Sequence, residues 1–134
     1  MEEELDKVAE EIEKYHLTNT RILKERKNLI LQKITLDKRE LSHYQKLLLD
    51  YRYIDEVDEL RMGSYLRFFK LDTDTLEIGR GGFLADIQVN QQRIVLLFKN
   101  RNRFFKLRMD ECILFQKNTS QENVLIQILD HIKG

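Results

Sequence analysis

Before Gly63 the chain contains no glycine, and it contains no proline anywhere. That long stretch is also rich in Glu, Lys, Leu and Arg, so propensity alone favours helix throughout it. The apolar spacing is more restrictive still. Leu5, Val8, Ile12, Tyr15, Ile22 and Leu29 alternate by threes and fours, with Asn19 and Arg26 filling two of the same places. After a one-residue shift the pattern resumes as Ile30, Ile34, Leu41, Tyr44, Leu48 and Tyr51, with Asp37 polar. A seven-residue repeat puts a narrow apolar seam on one side of a helix, and such a seam is buried against another helix. A helix continuous to residue 55 would be roughly 80 Å long. The remainder of the chain is too short to cover that length, so the spacing predicts a partner helix.

That partner is either a second copy of the chain, giving a coiled-coil homodimer, or the other half of the segment folded back as a hairpin. The seam would be carried by Leu5, Val8, Ile12, Tyr15, Ile22, Leu29, Ile34, Leu41 and Leu48. Two places could break the helix. Thr18-Asn19-Thr20 offers capping side chains, and Asp37-Lys38-Arg39-Glu40 matches a capping box. Neither contains Gly or Pro, so the expectation is an unbroken helix over the arm, residues 1–61.

At Arg61-Met62-Gly63-Ser64 the character changes. Aromatic residues cluster and period-two runs replace the seven-residue repeat, predicting strands at 64–71, 83–90, 93–99, 103–109 and 112–117. Ile94 to Phe98 is apolar on both faces and reads as central. Asn90-Gln91-Gln92 and Asn100-Arg101-Asn102 are links of hairpin length. Five short antiparallel strands over 62–118 predict a small SH3-like or Tudor-like barrel, or a curled sheet; closure would also remove exposed edges. Thr119-Ser120-Gln121-Glu122 is a second capping box. It opens a last helix over 119–134, apolar along Val124, Leu125, Ile128, Leu129 and Ile132, that packs on the β module or against the arm. The fold class is α+β. The run Arg67-Phe68-Phe69-Lys70-Leu71 recurs as Arg103-Phe104-Phe105-Lys106-Leu107; two copies are too few for a repeat architecture.

Composition narrows the function classes. Acids and bases balance at 23 each, which gives no whole-protein pull towards polyanions. The distribution is uneven: residues 1–15 carry seven acids and two bases, residues 61–117 eleven bases and six acids. Cys112 is the one cysteine, so no intrachain disulfide forms and a reducing, intracellular compartment is expected. The acidic start is unlike a signal peptide, and the apolar run Ile94–Phe98 is too short to cross a bilayer. No membrane association is expected.

Each motif that could carry chemistry has a plainer reading. Gly79-Arg80-Gly81-Gly82 lacks the Lys-Ser/Thr ending and the helix of a phosphate-binding loop, and reads as a turn or bulge. Asp72, Asp74 and Glu77 lack the spacing of a calcium loop. His16, His43 and His131 have no second ligand at metal spacing, and Cys112 reads as a small core residue. No catalytic, cofactor or metal site and no small-molecule substrate is expected. The run Lys99–Arg108 interleaves bases with rings, as single-strand-binding barrels do. Arg67, Arg101, Arg103, Lys106 and Arg108 are the candidate nucleic-acid contacts, with Lys70 and Arg80 extending the patch. The competing reading puts the phenylalanines in the core and leaves the bases as a solvated face.

Tyr53-Ile54-Asp55-Glu56-Val57-Asp58-Glu59-Leu60, Gly63-Ser64-Tyr65-Leu66-Arg67, Gly81-Gly82-Phe83-Leu84-Ala85-Asp86-Ile87, and Phe115-Gln116-Lys117 with Gln121-Glu122 together carry a family resemblance. Over residues 53–134 the chain resembles small uncharacterised proteins of giant nucleocytoplasmic large DNA viruses. The resemblance implies a virion or virus-factory setting and transfers no functional residue. The expected role is a non-enzymatic structural or scaffolding protein, self-associating through its arm and binding other proteins through its β module. The alternative is a nucleic-acid-associated protein using the basic face.

Overall fold

The computed structural model describes residues 2–73 and 77–133. Asp74, one of the calcium candidates, and Gly134 lie outside the described residues. The chain is α+β, with helices α1 (Glu2–Lys14), α2 (Thr20–Ile34), α3 (Lys38–Leu47) and α4 (Ser120–Lys133). Its strands are β1 (Tyr51–Ile54), β2 (Tyr65–Lys70), β3 (Gly82–Asn90), β4 (Arg93–Asn100), β5 (Arg103–Arg108) and β6 (Cys112–Lys117). It divides into two units, Met1–Arg52 with Asn118–Gly134, and Tyr53–Lys117. The first division falls inside β1, not at residue 62, and α4 belongs with the three N-terminal helices.

The expected unbroken arm is three helices, because polar side chains and one left-handed residue do the work that Gly and Pro usually do. Helix α1 closes as a Schellman turn: Leu17 N–H donates to the Ile12 carbonyl at 2.9 Å and His16 N–H to that of Glu13 at 3.3 Å. His16 takes φ 55°, the position glycine normally holds. The Asn19 side chain then caps α2 by accepting from Ile22 N–H at 3.0 Å. Asp130 on α4 accepts from the Thr20 N–H at 2.6 Å and from its hydroxyl at 2.5 Å. These two bonds hold the Asp130 carboxyl below the ordinary carboxylate pKa. At the second break Thr35 folds its hydroxyl onto the Leu31 carbonyl at 2.7 Å, and Asp37 caps α3 through Glu40 N–H at 2.8 Å.

The expected seam is correspondingly redistributed. Leu5 and Leu29 are exposed, Ile22, Ile34 and Leu41 are half-buried, and Leu48 is fully buried. Val8, Ile12 and Tyr15 pack on a core of Leu17, Leu23, Leu125, Ile126 and Leu129. On α2 the buried stripe is Leu23, Lys27 and Leu31, one residue on from the predicted Ile22, Arg26 and Ile30. One residue is about 100° of helix, so the inward face is a different one.

Lys27 accounts for the difference. Its ammonium donates to the carbonyls of Leu48 and Tyr51, both at 2.9 Å, satisfying the chain where α3 ends and β1 begins. Desolvation, with Lys24 nearby, lowers its pKa below 10.5, and Asp50 opposes the shift. Helix α4 opens with the complete capping box. Thr119 Oγ1 accepts from Glu122 N–H and Glu122 Oε1 from Thr119 N–H, both at 3.0 Å. The other oxygen of Glu122 takes the buried Arg52 guanidinium at 2.8 Å.

The β-rich unit carries an open sheet in the order β1-β6-β2-β3-β4-β5, so the five-stranded closed barrel is corrected to six strands with β1 and β5 at the edges. The five predicted strands are all present within about a residue of their expected ends. The β3–β4 link is a two-residue turn with Gln91 and Gln92 both at positive φ, 45° and 70°, as a twisted hairpin requires. The core beneath the sheet includes Leu66, Phe68, Leu84, Leu96, Phe98 and Leu114. Buried Gln116 pins the approach to β2. It accepts from Arg61 N–H at 2.9 Å and Ser64 Oγ at 2.7 Å, and donates to the Glu59 carbonyl at 3.2 Å.

Candidate functional site

Strand β5 has two chemically different faces, because alternate residues point opposite ways. Arg103, Phe105 and Leu107 share one; Phe104, Lys106 and Arg108 share the other. On the first face Phe105 stacks on Phe98, with ring centroids 5.4 Å apart and planes 19° from parallel, and meets Phe68 at 5.9 Å. Phe68 and Phe105 form the apolar floor of a cleft of about 590 Å³, lined also by Arg80, Gly81, Asn100, Arg101, Asn102 and Arg103. None of the described lining residues is acidic. Arg80, Arg101 and Arg103 are exposed, and no described carboxylate forms an ion pair with any of them.

Local geometry fixes this mouth. Gly81 sits at φ 90°, and a Cβ there would lie 2.0 Å from the Leu66 carbonyl oxygen, so only glycine lets the loop run this close to β2. The Asn100 amide donates to the Gly81 carbonyl at 2.8 Å, tying the β4–β5 turn to that loop. The Tyr65 hydroxyl donates to the Arg80 carbonyl and Arg67 Nε to that of Gly79 at 3.2 Å. The β4–β5 turn has two residues, Arg101 and Asn102, between paired Asn100 and Arg103. Arg101 adopts φ 57°, where a non-glycine residue is strained by roughly 1 kcal/mol. Strain of this kind concentrates where a side chain is used.

Of the five predicted nucleic-acid contacts, the structure brings Arg101 and Arg103 together in the cleft. Arg67 is half-buried and spends Nε on backbone. Arg108 is committed to Asp110 at 2.8 Å and Glu111 at 3.1 Å, and Lys106 is exposed on the other face of β5. Arg80 joins the cleft from the glycine-rich stretch, which is an irregular segment beside β2 that leads into β3. Asn100 and Asn102, hairpin-linker residues inside the Lys99–Arg108 run, also line the cleft.

Elsewhere the candidate chemistry is sparse. Burial raises the Cys112 thiol to a pKa of about 11, so it is protonated at neutral pH and a poor nucleophile. Among the described residues no three His, Cys, Asp or Glu side chains come together as metal ligands, and no helix is long and apolar enough to cross a membrane. No family model, curated protein or solved structure matches the chain.

Proposed function

We propose that this protein is a non-enzymatic nucleic-acid-binding protein that grips phosphates in the cleft formed by Arg80, Arg101 and Arg103. The observation that carries the reading is the convergence of three guanidiniums with no described carboxylate to neutralise them. Guanidinium is the cation best suited to phosphate, because its planar donors meet two oxygens at once. Asn100 and Asn102 add amide groups beside them, and the apolar floor keeps the pocket from being merely a solvated charge cluster. The family resemblance would place such binding in a virion or virus factory.

The test is fluorescence anisotropy of a labelled oligonucleotide, titrated at several salt concentrations. Wild type should bind at low salt and weaken steeply as salt rises, because phosphate contacts release counterions. Reversing Arg101→Glu and Arg103→Glu should abolish the binding; an unchanged affinity in that variant would remove the cleft from the account.

A second reading, self-association as a homodimer that binds other proteins, is favoured by one observation on α4. Val124, Ile128 and Ile132 stay exposed at 54%, 42% and 73%, four residues apart along one face. Sedimentation of the intact chain at micromolar concentration separates the readings, since a scaffold of this kind dimerises without nucleic acid.

A further inference from the structure

The strands that form the cleft also carry a row of side chains on their other face. Tyr65 pairs with Phe83, Phe83 with Lys99, and Lys99 with Phe104. Directly paired residues project from the same side of a sheet, so these four form one line across β2, β3, β4 and β5. Their sequence neighbours Leu84, Phe98 and Phe105 turn inward, the first two fully buried. The rings in the row do not. Phe83 is 54% exposed and Phe104 60% exposed.

A plain reading would have these rings satisfy one another. Tyr65 meets Phe83 edge to face at 5.0 Å, and the Lys99 ammonium lies 5.6 Å from the Phe104 centroid. Those contacts still leave more than half of each phenylalanine open. The charge beside the rings is positive, with Lys99 inside the row and exposed Lys106 two residues along β5 from Phe104. Asp86, the nearby acid on β3, accepts from Ile87 N–H at 2.9 Å and the Gln88 amide at 3.2 Å and keeps its charge, so the two lysines outnumber it here.

The row is continuous with the cleft. Phe104 follows Arg103, Lys99 precedes Asn100, and the Tyr65 hydroxyl bonds the Arg80 carbonyl. A chain passing round the Asn100–Arg103 turn would thus meet guanidiniums on one side and open rings on the other. The ligand that presents phosphates and flat apolar faces together is single-stranded nucleic acid; a duplex has its bases already stacked and covered.

We propose that the Tyr65–Phe83–Lys99–Phe104 row is a base-stacking platform that makes the protein prefer single-stranded over double-stranded nucleic acid. This rests on the phosphate-binding reading of the cleft.

The chain has no tryptophan, so Phe104→Trp supplies a unique fluorophore at the row. Its emission should be quenched by oligo(dT) and left unchanged by inorganic phosphate or by a duplex of equal length. In anisotropy, Phe83→Ala with Phe104→Ala should weaken oligo(dT) binding by roughly tenfold per ring lost while leaving duplex binding unchanged. Phe104→Tyr should restore much of the loss. Oligonucleotide binding that ignores the ring variants overturns the platform and leaves the cleft standing. Absence of any binding at low salt overturns both. Dimerisation of wild type that the ring variants abolish would assign the row to a second copy instead.

Discussion

Arg101 and Lys27 each hold a conformation or environment that their residue type resists. Glycine would suit the Arg101 position better, as φ 57° costs glycine little. Arg101→Gly should therefore raise stability by about 0.5–1 kcal/mol in urea unfolding while lowering oligonucleotide affinity. Loss of both would mean that the arginine serves the turn rather than a ligand. Lys27 was legible as a charge and illegible as a core residue, because nothing in its neighbours announces the carbonyls it reaches. Its folded pKa lies below 10.5, so in the window between the two values the unfolded chain binds more protons. The penalty on the buried ammonium is fully present below the folded pKa and is relieved as pH rises towards 10.5. The stability of wild type relative to Lys27→Met should therefore grow as pH rises from the folded pKa towards 10.5. A difference that stays flat or shrinks would contradict this environment.

At the scale of elements, strands were easier to read than helix ends. Period-two alternation such as Phe83, Ala85, Ile87 and Val89 marks a strand but not its inward face, since Leu84 is buried while Phe83 and Val89 stay exposed, and all five predicted strands are present. Helix ends in this chain are written in Asn19 and Asp37, polar members of the repeat that leave its spacing unbroken, and in a left-handed His16. The one-residue rotation of α2 has the same origin, since Lys27 occupies the centre of the buried stripe and the exposed Leu29 imitates it. The start of helix α4 is legible too, its capping box announced by Thr119 and Glu122. The same Glu122 forms the buried pair with Arg52. Arg52→Ala and Glu122→Ala should each destabilise by about 3–5 kcal/mol, because each strands a buried charge. The double variant should cost at least about 1 kcal/mol less than the sum of the two. Additivity would show that the pair is not coupled.

For the whole molecule, the missed strand decided the sheet's topology. Tyr51–Ile54 continues the helical seam in the sequence, so β1 goes unpredicted and only five strands are left to form a barrel or a curled sheet. With β1 present the sheet stays open, and β5 becomes an edge strand studded with Arg103, Lys106 and Arg108. Charged edges deter pairing with other chains, a role those residues fill whatever else they bind. Arg101 and Arg103 of the cleft were legible because the β4–β5 turn is local in sequence. Arg80 reached them only through the Gly81 loop, which β2 admits at a distance no other residue tolerates. The central claim is that these three arginines bind nucleic-acid phosphates. Its most direct measurement is the slope of log affinity for oligo(dT) against log salt. Three neutralised phosphates at about 0.7 each predict a slope near −2 for wild type, and Arg101→Glu with Arg103→Glu should remove the binding. Affinity that does not change with salt, or no binding at low salt, would contradict the account.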